Sequence, residues 1–283
     1  MIPYGTGHIF NLPKWLPAIG GLPIHWFGVL VALGVILGDR IVVTQGQRRG
    51  LDPNDVKYMN ARIVIGGFIV AHLVSVIFYY PERIAEDWKV LINPFAGLSS
   101  FGGFLGAFLA FMYFTKKAGV DRLRYADSVA LGLAVGWIFG RTGCSTAHDH
   151  PGRHVPASFF LSVNYPDGPR IDLGIYELLF TIVLTAILFT FNRRPRPRGR
   201  VIALAMMIYA PARFALDFLR ATDSASPDRR YLSLTPAQWA CLATAALGVY
   251  IWTRRELPAS PAAPDSAAPP APSPTETDTA PRV

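Results

Sequence analysis

The sequence predicts an all-α integral membrane protein of seven transmembrane helices, with its N-terminus outside and its C-terminus cytoplasmic. Three observations predict it. Of 283 residues, 51% are apolar and 16% charged, against roughly 25% charged in soluble domains, and mean hydropathy is +0.30 despite a polar C-terminal stretch. Seven apolar stretches recur with turn-rich gaps between them. Lysine and arginine crowd alternate gaps, fourteen on one side against seven on the other, the asymmetry that marks cytoplasmic loops. The same observations exclude a water-soluble globular domain and wholesale disorder. They also read the net charge of +8 as topology rather than as a nucleic-acid footprint.

Residues 1–23 lack a basic start and carry Pro3, Pro13, Pro17 and Pro23, so they read as a short interfacial segment and not as a signal peptide. The first span is expected over 24–43, followed by Arg48, Arg49 and Lys57, and the second over 61–80, followed by Arg83 and Lys89. The third, 98–114, precedes Lys116, Lys117, Arg122 and Arg124; the fourth, 126–143, precedes Arg153 and Arg170. The fifth, 171–191, leads into the run Arg193, Arg194, Arg196, Arg198 and Arg200. The sixth, 201–219, precedes Arg229 and Arg230, and the seventh, 236–252, precedes Arg254 and Arg255; Lys14 belongs to the N-terminal segment. Each stretch is close to the roughly 20 residues that a helix needs to cross a bilayer, whereas barrel strands would be half as long and would alternate. Residues 24–256 thus read as one seven-helix domain. Residues 257–283, rich in Pro, Ala, Ser and Thr, read as a disordered cytoplasmic tail. Gly132, Gly136 and Gly140, and Gly102 with Gly106, recur at helical spacing, which lets helix backbones approach closely.

Ionisable groups inside such stretches cost about 2.5–3.5 kcal/mol each at mid-bilayer on insertion scales. Here they are His25, Asp39, Arg40, Arg62, His72, Arg141, Glu177, Arg213, Asp217 and Arg220. Asp39, Arg40 and Arg62 lie near the inner boundary and read as snorkelling side chains, and His25 beside Trp26 as a belt residue. Arg141 closes span four, Glu177 opens span five, and Arg213 and Asp217 share one face of span six at i, i+4. All lie toward the outer side, which predicts a polar cavity there. Two arginines suit a phosphate, which a guanidinium fork clamps with parallel hydrogen bonds; a structural salt-bridge cluster is the alternative.

His148, Asp149 and His150 form the densest local chemistry: general acid–base groups, or a polar loop over the cavity mouth. The H-x-H spacing offers two metal ligands without an evident third or fourth, so no metal is expected. Cys144 and Cys241 sit on separate apolar stretches and form no disulfide framework; Cys144 reads as a small packed residue. No dinucleotide or P-loop string is present, so no cofactor is expected.

Several strings together resemble the bacterial prolipoprotein diacylglyceryl transferase family over residues 22–255. They are LPIHWFGVL, SFGGFLG, FGRTGC followed by HDHPGR, YELL, Y-x-x-x-R-x-x-x-D-x-x-R in span six, and the RRPRPRG loop before it. The resemblance implies a multi-pass enzyme of the bacterial plasma membrane. Its reaction moves a diacylglyceryl group from phosphatidylglycerol to the lipobox cysteine thiol of a preprolipoprotein, forming a thioether and releasing glycerol phosphate. Phosphatidylglycerol, the preprolipoprotein lipobox segment and membrane lipids are the implied partners, with no nucleic acid. Two other readings stay open: a divergent transferase with another acceptor, and a non-catalytic phospholipid-binding or lipid-transporting protein.

The resemblance also implies site residues. Arg141 matches the arginine of the family's G-R-x-G-N string, which is implicated in binding phosphatidylglycerol. Gly143 lies in that string, Gly152 closes the signature, and Asp149 stands where a glutamate is usual. Gly102 and Gly103 match an H-G-G-x-x-G string, Glu177 a Y-E string, and Tyr209, Arg213, Asp217 and Arg220 the span-six set, with Asp217 in place of a glutamate. On this basis Arg141 is the expected phosphate contact, Arg213 a second electrostatic clamp, and Asp149 or His148 the general base. Four positions depart from the pattern: Phe101 replaces a histidine, Cys144 an asparagine, Phe27 a tyrosine and His72 an arginine.

Overall fold

Aspartates start three of the long helices. Asp52 accepts hydrogen bonds from the amides of Asn54 and Asp55 (2.6 and 3.4 Å), with Pro53 at the first helical position. Asp121 does the same for Leu123 and Arg124, and Asp172 for Gly174 and Ile175. Each cap satisfies N–H groups that a helix start leaves without an internal partner.

The computed structural model describes residues 1–5, 7–11, 23–93, 97–223 and 230–254. Residues 1–253 form one unit. The 257–283 segment expected to be a disordered tail lies outside the described residues, as do residues 12–22 of the expected interfacial segment.

The chain is mostly helical. Its long helices are α1 (Trp26–Arg48), α2 (Pro53–Val74), α4 (Ser100–Lys117), α5 (Arg122–Ala147), α6 (Leu173–Phe191), α7 (Arg200–Asp217) and α8 (Pro236–Thr253). A π-helical stretch, Ser75–Tyr79, prolongs α2 and leads into the short α3 (Pro81–Glu86). By length and composition, Trp26–Arg48, Pro53–Tyr79 and Leu173–Phe191 are apolar enough to cross a membrane. Helix α2 starts at Pro53, eight residues ahead of the expected span, because the Asp52 cap carries the helix through polar residues that hydropathy does not count.

The expectation of an all-α chain is corrected by a four-stranded sheet, three strands of which lie between α5 and α6 while the first comes from the N-terminal segment. Its strands are β1 (Ile2–Pro3), β4 (Pro151–His154), β5 (Ser162–Tyr165) and β6 (Gly168–Asp172), in the order β1-β5-β6-β4. The hairpin β5–β6 turns over Pro166 and Asp167, with Tyr165 paired to Gly168 at φ +116°, a conformation suited to glycine. A second, two-stranded pairing joins β2 (His8–Asn11) to β3 (Pro23–His25) just ahead of α1.

Small residues set the helix packing. Gly34 and Gly38 of α1 face the carbonyls of Gly136 and Gly132 on α5, and a Cβ on Gly132 would overlap Val42 and lie 2.5 Å from the Gly38 carbonyl. Helices α2 and α4 repeat the device: a Cβ on Gly106 would overlap the Gly66 carbonyl, and one on Gly102 would lie 2.7 Å from the Val70 carbonyl. Close backbone approach of this kind is how helices associate where no hydrophobic force separates lipid from protein. Buried Asp127 of α5 accepts from the amides of Gly199, Val201 and Ile202 (2.7, 3.0 and 2.9 Å), so α5 caps α7 across the molecule. Leu131, Leu184, Leu188 and Val201 pack beside that cap and hold α5, α6 and α7 together.

Candidate active site

Three of these helices converge on one carboxylate. Glu177 lies one turn inside α6, behind the Asp172 cap, and is buried with 3% of its surface exposed. Arg141, near the end of α5, sets Nη2 3.0 Å from Glu177 Oε1. Tyr209 of α7 donates its hydroxyl to the same oxygen at 2.6 Å, and the Trp137 indole N–H donates to it at 3.3 Å. Arg213, one turn beyond Tyr209, places Nε 3.7 Å from Glu177 Oε2 and donates Nη1 to Asp217 Oδ1 at 2.8 Å. Asp217 is fully buried; its other oxygen accepts from the Thr235 hydroxyl, and Gln238 ties the start of α8 to the same corner. Tyr209, Arg213 and Asp217 recur every four residues and so share a face of α7.

Two arginines thus meet two carboxylates in a buried setting, and their capacity is not filled. A guanidinium has five N–H donors. Arg141 Nη2 faces Glu177, Nη1 lies 3.7 Å from Cys144 Sγ, and its guanidinium stacks over Trp137 at 4.6 Å, yet Nε is buried without a hydrogen-bond partner. A buried unpaired donor on a cation costs free energy unless an acceptor arrives.

The segment after α5 divides its three polar residues. His148 ends the helix in a left-handed conformation (φ +50°), and its amide donates to the Cys144 carbonyl. Its ring turns away from Arg141 toward the sheet, where Nδ1 meets Asp172 Oδ2 at 2.5 Å and Tyr4 stacks on it. Tyr165 donates to the same Asp172 oxygen at 3.0 Å; burial raises its pKa, and the Asp172 charge adds to the rise. Asp149, half exposed, and His150 instead lie beside Cys144, with His150 Nδ1 3.2 Å from Asp149 Oδ1. Burial lowers the His150 pKa against the raising effect of Asp149, and Arg141 and Arg220 add to the fall.

A family profile described as prolipoprotein diacylglyceryl transferase matches residues 14–254. A phosphatidylglycerol–prolipoprotein diacylglyceryl transferase of Polynucleobacter asymbioticus is 31% identical over 253 residues, 86% of this chain and 97% of the relative. Those so named from Bordetella avium and Clostridioides difficile are 31% and 28% identical, over 76% and 72% of this chain and 86% and 81% of theirs. The chain belongs to the prolipoprotein diacylglyceryl transferase family. It is therefore a membrane-embedded transferase of the lipoprotein-biogenesis class.

Against that family's pattern the structure sorts the expected residues. Arg141, Glu177, Tyr209, Arg213 and Asp217 meet in one cluster, and Arg220 adjoins it through the backbone bridge to Gly152. Four glycines serve packing to different degrees. Gly152 is wedged between the carbonyls of Ile171 and Leu219, each 2.9 Å from where a Cβ would sit, and Gly143 abuts Phe27. Gly102 faces α2, while Gly103 has only Ala71 nearby, at 3.7 Å. His72, which departs from the arginine expected there, holds three carbonyls: Nε2 lies 3.1 Å from those of Val90 and Leu91, and Nδ1 3.3 Å from that of Gly97. Sequence reasoning missed Trp137, Thr235, Gln238 and Asp172. Only Asp172 carried a signal, as a capping residue directly before the apolar run of α6.

Proposed function

We propose that the protein transfers a diacylglyceryl group from phosphatidylglycerol to the lipobox cysteine of a preprolipoprotein. The observation that carries this reading is the buried pair Arg141 and Arg213 around Glu177, with Arg141 Nε unpartnered. The lipid phosphate accepts from the two guanidinium groups, entering from the bilayer between helices. The acceptor sulfur forms a thioether to the glyceryl carbon, and the carbon–oxygen bond to phosphate breaks. Glycerol phosphate leaves with the bonding electrons, and its growing charge is stabilised by the arginines in a low-dielectric setting. The thiol proton passes to a base, since a thiol of pKa about 8.5 is mostly protonated at neutral pH. Asp149 is our choice: it lies on the Arg141 side of the corner, whereas the His148 ring is engaged by Asp172.

The same reading places the domain in the bacterial inner membrane with seven spans, the N-terminus outside. The sheet and the Arg141 end of α5 then lie at the outer face, where preprolipoproteins emerge. All the relatives reported above carry the transferase name, so a non-catalytic lipid-binding role is not favoured.

The test is purified protein in vesicles of phosphatidylglycerol with a lipobox peptide, following glycerol phosphate release and peptide mass together. Release with a diacylglyceryl mass gain is expected. Arg141→Ala is expected to lower kcat about 100- to 1,000-fold, the loss seen when one transition-state donor is removed. Unchanged turnover in that variant overturns the phosphate role.

A further inference from the structure

We propose that Cys144, Asp149 and His150 form a zinc-type metal site with one open coordination position. Pairing the two histidines of the H-x-H string selects the wrong ligands, because His148 is turned onto Asp172. The residue that completes the set is Cys144, at the end of α5. A ligand atom of Cys144, one of Asp149 and one of His150 all lie within 4.8 Å of one another.

The chemistry of the set is specific. Thiolate, imidazole and carboxylate are the three zinc ligand types, and three protein ligands with a vacant fourth position is the arrangement of catalytic zinc. Ligand bonds of about 2.0–2.2 Å put tetrahedral nitrogen and oxygen ligands about 3.3 Å apart. His150 Nδ1 and Asp149 Oδ1 already stand 3.2 Å apart, yet Nδ1 is buried without a well-aligned hydrogen bond. A shared cation satisfies both atoms. Arg141 Nη1 lies 3.7 Å from the sulfur, and its own charge is met by Glu177 at 3.0 Å.

The backbone around the three ligands is held. The His148 amide donates to the Cys144 carbonyl, folding the chain back over the end of α5. The Leu173 amide donates to the His150 carbonyl at 3.0 Å, and Pro151 opens β4 immediately after. Fixed supports of this kind are what metal ligands need.

Resting on the transferase reading, the open position takes the acceptor thiol. A metal held there would acidify the coordinated thiol, and Asp149, ligating through one oxygen, would take the thiol proton on the other, leaving the sulfur as thiolate beside the arginine pair.

The experiment uses the full-length protein in detergent, stripped with a chelator and titrated with Co²⁺ and then Zn²⁺. Saturable cobalt binding with a thiolate-to-cobalt charge-transfer band is expected, and Zn²⁺ should displace it. Cys144→Ser should abolish the band and His150→Ala should weaken binding at least tenfold, while Cys241→Ser keeps both. Thermal unfolding confirms that each variant is folded, and Asp149→Asn, whose side chain is half exposed, provides a ligand loss with little risk to the fold. No cobalt binding by the folded wild type, or an equal band in Cys144→Ser, overturns the site. Diacylglyceryl transfer at full rate after chelation overturns the thiol role and leaves the transferase reading standing. Zinc bound without transfer under any loading does the reverse.

Discussion

Glu177 carries two interactions of unequal weight. It is the shared anion of Arg141 and Arg213 and also the acceptor of the Tyr209 hydroxyl. Removing one partner of a buried ion pair costs about 3–5 kcal/mol, because the remaining charge is left uncompensated. Losing a single hydrogen bond to a charged group costs about 1.5–3 kcal/mol. Glu177→Gln should therefore lower the unfolding temperature in detergent by clearly more than Tyr209→Phe does. Equal shifts would mean that the hydroxyl, rather than the ion pairs, holds the corner. At this scale the sequence was informative where a residue was costly: Arg141, Glu177, Arg213 and Asp217 stood out as charges in apolar runs. Trp137 and Thr235 did not, because an indole or a hydroxyl in a membrane helix is ordinary until its partner in space is known.

Helix pairs and the hairpin raise different questions. On α1–α5 and α2–α4 the glycine spacing read from sequence corresponds to carbonyls in contact range, so added volume has nowhere to go. Gly106→Val should cost about 1–3 kcal/mol by overpacking, read as a lower detergent unfolding temperature, whereas Gly140→Ala, with only Trp137 within reach at 4.0 Å, should be neutral. The strands escaped a reading built on membrane-length runs, since β5 has four residues and β6 five. Their signal was the turn string Tyr165-Pro166-Asp167-Gly168. That hairpin also has a pH signature. Arg170 clamps Asp167 at 2.6 Å and Asp223 at 2.9 Å and holds both below the ordinary carboxylate value of 3.8. A carboxylate pKa depressed by folding contributes stability above its unfolded value and loses it as pH falls through the folded one. Protection of the β6 amides, measured as exchange relative to the intrinsic rate at each pH, should therefore fall in the wild type as pH drops below about 3.8, by a small amount because both acids are exposed. Asp167→Asn with Asp223→Asn should flatten that response, and a response unchanged by the pair would place the titrating group elsewhere.

For the whole molecule, the proposed orientation rests on charge asymmetry between loops. Apolar length and composition alone single out α1, α2 with its π-helical extension, and α6 as membrane-crossing. Helix α5 is more polar because it carries Asp127 at one end, as a cap for α7, and Arg141 at the other, in the site. Those are internal duties that lower hydropathy without removing a helix from a bundle, since polar groups in membranes face protein partners. The two ends of α5 therefore make opposite predictions for accessibility. A cysteine at His154, exposed on β4 beyond the Arg141 end, should react with a membrane-impermeant maleimide in intact spheroplasts. A cysteine at Arg194, exposed in the basic loop between α6 and α7 near the Asp127 end, should react only after lysis. Cys144 and Cys241 are both buried, so the wild type supplies a low background for each measurement. Labelling of both positions before lysis would remove the barrier between them, and the reverse pattern would invert the protein and put the arginine pair on the cytoplasmic side, away from emerging preprolipoproteins.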